Sequence, residues 1–116
     1  MRYNFLFLLL LLLASCYEEA SIQVTNKVHN VRMDKIQLGE IGIGSELMPG
    51  ESTKKLTISE FTEDITFPIT APLQFYMVKG ENTVFLKTKN SYTLYADDEL
   101  QIIISDSTEV VNSATE

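Results

Sequence analysis

One thiol and one imidazole are the sharpest reagents in this chain of 116 residues, and they stand in unlike surroundings. Cys16, the only cysteine, closes Leu13-Ala14-Ser15-Cys16 at the end of an unbroken apolar run from Phe5 to Leu13. A thiolate attacks electrophiles readily, and one set behind small residues at the end of an apolar segment is placed for modification beside a membrane. His29 lies in a polar stretch between Val28 and Asn30. Alone it makes no zinc centre, which takes three or four nitrogen or sulfur ligands. Ser52-Thr53-Lys54-Lys55 spells serine-x-x-lysine, a pattern that works only when the lysine sits one helical turn from the serine. Here the four residues enter a predicted strand, which sends Ser52 and Lys55 to opposite faces. Glu60, Glu63 and Asp64, and again Asp97, Asp98 and Glu99, offer oxygens to calcium. Neither group has the spaced carboxylates and glycine of a calcium-binding loop, so both read as solvated turns. No nucleophile, base and orienting group are set to converge, and a non-enzymatic protein without metal or cofactor is predicted.

Residues 1–15 have the order of a secretory signal: Arg2, a short polar stretch, nine apolar residues, then small residues before a cut. As a helix, Phe5 to Leu13 would cover roughly 14 Å of a hydrocarbon core about 30 Å thick. The segment is therefore expected to be removed rather than to span. Leu13-Ala14-Ser15-Cys16 resembles the lipobox of bacterial lipoproteins. That resemblance implies cleavage before Cys16, lipid on its thiol, and a stable membrane anchor of two or three acyl chains without a transmembrane helix. Tyr17-Glu18-Glu19 follows at once and resembles the acidic surface-export signal of lipoproteins of the Bacteroidetes. The resemblance implies an outer-membrane protein at the cell surface, with a periplasm-facing position as the alternative. Residues 16–20 then form the lipidated cysteine and its acidic tether.

Removing residues 1–15 leaves 101 residues, enough for one domain with one core. That portion keeps eight of the nine Lys and Arg and all 16 Asp and Glu, a formal charge of −8. Phosphate backbones need clustered cations, so nucleic acid is excluded as a partner. With Cys16 committed to lipid, no disulfide is available, and apolar burial must hold the fold.

From Ser21 onward apolar residues recur at every second position, the period of strands. Ile22 and Val24 begin the first. Asn26 to Asn30 reads as a polar turn. Val31 and Met33 change phase to Ile36 and Leu38, which predicts a bulge near Asp34-Lys35 or two separate strands. Gly39, Gly42 and Gly44 around Ile41 and Ile43 suit an edge strand. Met48-Pro49-Gly50-Glu51 is a type II turn candidate leading into a strand at Leu56 and Ile58. Pro68 and Pro72 restrict pairing and predict an edge strand or extended connection, ahead of a core strand over Leu73 to Val78. Lys79-Gly80-Glu81-Asn82 sits at hairpin distance, Lys89-Asn90-Ser91 reads as another turn before Tyr92 to Ala96, and Leu100 to Ile104 as a buried strand.

This pattern predicts an all-β fold, an antiparallel sandwich of about seven strands over residues 21–105, with an open barrel sharing the same signature. Residues 106–116 are expected to be a polar tail. Val24-Thr25-Asn26, the isoleucine-rich second strand and Leu47 to Ser52 together resemble immunoglobulin-like accessory domains of extracellular bacterial proteins, over roughly Ser21 to Ile58. Asp106-Ser107-Thr108 resembles the short O-glycosylation acceptor of Bacteroidetes, which would place a glycan on Ser107. Tyr76, Tyr92 and Tyr95 are the candidates for an exposed aromatic ligand surface, against the alternative of packing within the sheets. The function expected is binding. Its lipid partner is the membrane, through Cys16, and its ligand an unknown protein or glycan. Edge-strand capture of an envelope protein by a structural or inhibitory lipoprotein is the alternative.

Overall fold

A computed structural model describes residues 18–60 and 65–112. Eight strands account for its regular structure: β1 (Glu19–Lys27), β2 (Arg32–Leu38), β3 (Ile41–Leu47), β4 (Leu56–Ser59), β5 (Ile69–Lys79), β6 (Asn82–Leu94), β7 (Glu99–Ser105) and β8 (Val110–Asn112). Among the described residues there is no helix. Alternation drives the arrangement. Ala20, Ile22 and Val24 on β1, Ile58 on β4, and Ile102 and Ile104 on β7 turn one way and are buried. They meet Met33, Ile36, Leu38, Leu73, Phe75 and Leu94 from the facing sheet, so the apolar half of each strand is withdrawn from water between two layers.

The smaller sheet has the order β4-β1-β7 and the larger β3-β2-β5-β6-β8. The sandwich expected from the period-two pattern is present. One pairing departs from an all-antiparallel arrangement: β1 and β7 run parallel, Ser21 opposite Glu99 through Lys27 opposite Ser105. β7 leaves β6 through the short turn at Tyr95 to Asp98 and crosses to the other sheet, where its neighbour is not its hairpin partner. The crossing therefore frees it from antiparallel geometry.

The local signals fared unequally. In the Met48 to Glu51 turn, Gly50 has φ near +88° and the Glu51 N–H donates to the Met48 carbonyl at 3.0 Å, as a glycine at the third position requires. β5 and β6 meet across Gly80-Glu81, with Gly80 at φ near +63°. Arg32 to Leu38 is one strand with a bulge between Asp34 and Gln37, where Lys35 takes φ near +49°. Leu73 to Val78 is the central strand, paired on both sides, while Ile69 to Pro72 pair with β6 alone, which is how Pro72 is tolerated.

Two expectations are corrected. Lys89-Asn90-Ser91 does not turn the chain; β6 runs through it, taking up the extra residues as a bulge between the Pro72–Ser91 and Gln74–Lys87 pairs. Buried Thr88 makes this possible, because its hydroxyl accepts the Leu73 N–H at 3.0 Å and donates to the Asn90 carbonyl at 2.7 Å. Residues 106–112 of the segment expected as a tail also belong to the fold. Val110 to Asn112 pair with Leu86 to Thr88, and Val110 packs against the core, which repays the ordering of a short strand.

Candidate functional site

The site begins with an asparagine. Asn26 follows Ile22 and Val24 in the inward phase of β1, and its side chain is fully buried. An amide in that position must find partners for its oxygen and both hydrogens. Its Nδ2 donates to the Val31 carbonyl at 2.7 Å and to the Leu47 carbonyl at 3.0 Å, while Oδ1 accepts the Val28 N–H at 3.0 Å. Its backbone N–H donates to the Glu51 carbonyl at 2.9 Å, and its own carbonyl accepts the Gly50 N–H at 2.6 Å. One residue thus ties together the β1–β2 connection, the end of β3 and the turn that follows it.

Beyond that turn the chain leaves the larger sheet and joins the smaller one. The Thr53 N–H donates to the Val24 carbonyl at 2.8 Å, Thr53 Oγ1 accepts the Val24 N–H at 3.0 Å, and the Gln23 side-chain amide donates to the Thr53 carbonyl at 2.9 Å. Ser52 and Thr25 face each other with their hydroxyls 2.7 Å apart. Residues 51–53 are therefore committed to β1 on one side. β3 is committed to β2 on one side. Between the two remaining edges lies a slot of about 560 Å³, lined by Ile43 to Leu47 and by Glu51 to Leu56.

Both walls of the slot are unbroken runs of residues, odd and even alike. The first wall is the outer edge of β3, the end strand of its sheet, and the second is the extended stretch from Glu51 to Lys55, bridged to β1 at Ser52, running into β4 at Leu56. The floor closes at one point, where a Cβ placed on Gly44 would come within 3.0 Å of the Thr53 methyl. Ile43 is the bulged residue of β3, extra between the Gly44–Ile36 and Gly42–Gln37 pairs. It and Leu47 are buried at the inner margin, and Leu56 is half-buried. Charge is divided along the slot. Glu46 and Glu51 stand at the turn end, with the Glu51 carboxylate accepting the Met48 N–H at 2.7 Å. Lys54 and Lys55 stand at the other end, where Lys55 is paired with Glu99 and holds that carboxyl below the usual range.

The tyrosines singled out in the sequence are not gathered on one face. Tyr76 lies on the outer face of the larger sheet, stacked on Phe85 with ring centroids 4.7 Å apart and the Lys35 ammonium 5.5 Å from its ring centre. Tyr92 packs against the core, where burial pushes its hydroxyl pKa up. Tyr95 is exposed in the turn after β6. Ser52 and Lys55 do not meet, since Ser52 bonds Thr25 and Lys55 bonds Glu99. His29 is exposed, its backbone N–H donating to Asp106 at 2.9 Å. Ser107 is exposed in the β7–β8 turn, its hydroxyl 3.0 Å from that of Ser105. Leu13, Ala14, Ser15, Cys16 and Tyr17 lie outside the described residues, as do Glu63 and Asp64.

Glu18 and Glu19 are described, and they open onto an acidic end of the sandwich. The Glu60 N–H donates to the Glu18 carbonyl at 3.1 Å and the Asp97 N–H to the Glu19 carbonyl at 2.6 Å. A side-chain hydrogen bond with Glu60, then the Glu60 charge and that of Asp97, hold the Glu18 carboxyl above the ordinary carboxylate range. Among the described residues no group of three His, Cys, Asp or Glu is arranged to hold a metal ion.

Neither Asn26 nor the slot was singled out as functional in the sequence. The signal for Asn26 was its phase, two residues beyond Val24 on the inward face. No family model, curated protein or solved structure matches this chain.

Proposed function

We propose that this protein is a lipoprotein of a Bacteroidetes-like bacterium, anchored in the outer membrane through Cys16 and displayed at the cell surface, where it works by binding another protein. In this reading residues 1–15 are removed, the acidic residues after Cys16 direct export, and the domain belongs with immunoglobulin-like accessory modules. The observation that carries the binding function is the slot between β3 and residues 51–56. The edge strand β3 lines one side of it, with apolar side chains at its inner margin. The scattered tyrosines offer no comparable platform for a glycan.

Membrane proximity is supported by chain length. β1 begins at Glu19, three residues after Cys16, and three residues reach at most about 11 Å. The domain would thus work within one domain's height of the bilayer, on partners already concentrated there.

The test is protease treatment of intact cells, followed by flotation of membranes from cells carrying the wild type or Cys16→Ala. The wild type should float with membranes and be cut in intact cells, and Cys16→Ala should be released. Membrane association unchanged by the substitution would overturn the anchor. Protection until lysis would overturn surface display and turn the search to periplasmic envelope partners.

A further inference from the structure

From the slot's walls and charges we infer what it takes: an extended segment of five or six residues from another protein, added as a strand along β3, with a cation near one end and a carboxylate near the other. This deepens the binding function proposed above and rests on it. An edge strand presents alternate N–H and C=O groups outward, and an added strand satisfies them with its own backbone. β3 carries no lysine or proline on Ile41 to Leu47; its one charge is Glu46, and its bulge falls at Ile43, the first residue of the slot, which leaves Gly44 to Leu47 as regular edge. Its five slot-lining residues span roughly 16 Å, which sets the length of the segment.

Charge fixes the direction. Gly44 lies against Thr53, which leaves Glu46 and Glu51 on the turn side of that contact along the chain and Ile43, Lys54 and Lys55 on the other side. A ligand strand therefore meets the Glu46 and Glu51 carboxylates at the turn end and the Lys54 ammonium roughly 10 Å away, a separation of about three residues. Glu46 lies 4.0 Å from the Arg32 guanidinium, which Asp34 holds more closely, and Lys55 is paired with Glu99. Alternate side chains of the same strand would turn inward over Ile43, Leu47 and Leu56. A second copy of this chain is a poor occupant along β3, since Glu46 is the only charged residue of that strand and supplies no cation for the acidic end.

The experiment uses the full chain as purified and blocked eight-residue peptides that alternate valine and threonine, with lysine near one end and glutamate near the other. Binding is followed by fluorescence anisotropy, and the contact by amide hydrogen exchange. The peptide should slow exchange at residues 43–47. Methylating one alternate set of its backbone nitrogens should weaken binding about tenfold or more, while methylating the other set leaves it nearly unchanged. Paired substitution of exposed Glu46→Lys and Lys54→Glu should shift preference by about three- to fivefold toward the peptide with its charges exchanged.

Equal loss from both methylation patterns would overturn strand addition. So would failure of every peptide to bind, or a free chain that dimerises with its β3 amides already protected. Flotation with Cys16→Ala is independent of all these outcomes, so a failed slot and a failed anchor are told apart.

Discussion

The two ends of the sandwich are closed by opposite chemistry. At the end holding the β1–β2 connection and the Met48 to Glu51 turn, a neutral amide is buried and every one of its polar atoms has a partner. At the other end, beside the start of β1, Glu18, Glu19, Glu60, Asp97 and Asp98 are brought together by backbone hydrogen bonds while their charges oppose one another. A buried, satisfied amide is costly to disturb, because removing it strands several groups away from water. Exposed like charges are weakly coupled and screened by salt. The difference teaches where rigidity is held. The turn end fixes the slot, and the acidic end at the start of β1 is the softer one.

The largest test of that contrast is Asn26→Leu, which keeps the volume and removes the amide. It leaves the carbonyls of Val31 and Leu47 and the N–H of Val28 without their present partner. A loss of about 3 kcal/mol is expected, which for a domain of this size lowers Tm by roughly 15 °C. Hydrogen exchange at Leu47 and Gly50 should rise before that of the Ile102 to Ile104 strand. A loss below about 1 kcal/mol would mean that water replaces the amide, and the two ends would then be equally soft.

A smaller effect is expected from Gly50→Ala. The added methyl group meets no atom within 4 Å, so the whole effect comes from holding an L-residue at φ near +88°. That conformation costs about 1–2 kcal/mol. Chemical denaturation should show the loss with an unchanged m-value, and peptide capture in the slot should weaken with it. An unchanged denaturation midpoint would show that the turn adopts another geometry at no cost, and that the slot's turn end is less rigid than the Asn26 bonds imply.

The sandwich itself was legible, because alternation is a property of neighbours: Ile22 and Val24, or Ile102 and Ile104, announce their face within a few residues. Met48 to Glu51 was legible for the same reason, since proline fixes its own φ and glycine takes the positive φ the turn needs without steric cost. Asn26 was misread as turn because its side-chain partners lie up to 21 residues away, at Leu47, and composition alone makes an asparagine polar and external. Lys89-Asn90-Ser91 has turn composition and does break the pairing, yet the Thr88 hydroxyl holds the strand together across the break. The slot was beyond reach. It is a space between edges of two different sheets, and no short run of residues encodes a gap.

The smallest expected effect has the opposite sign and belongs to the acidic end. Glu18 has its pKa raised above 4.5 by Glu60 and then Asp97, so the folded chain holds that proton more tightly than the unfolded chain does. Its contribution is favourable while the carboxyl is protonated and is lost as pH rises from 4.5 through the raised value. Glu99 is the counterexample nearby: Lys55 lowers its pKa, and its contribution is present above 4.5 and lost as pH falls through the lowered value. Glu18→Gln should therefore give a slightly higher Tm than wild type at neutral pH and low salt. The gap should shrink both on acidification through the window just above 4.5 and on adding salt. A variant less stable than wild type at neutral pH would mean that the Glu18–Glu60 hydrogen bond outweighs the repulsion, making the acidic end a fastening rather than the soft end.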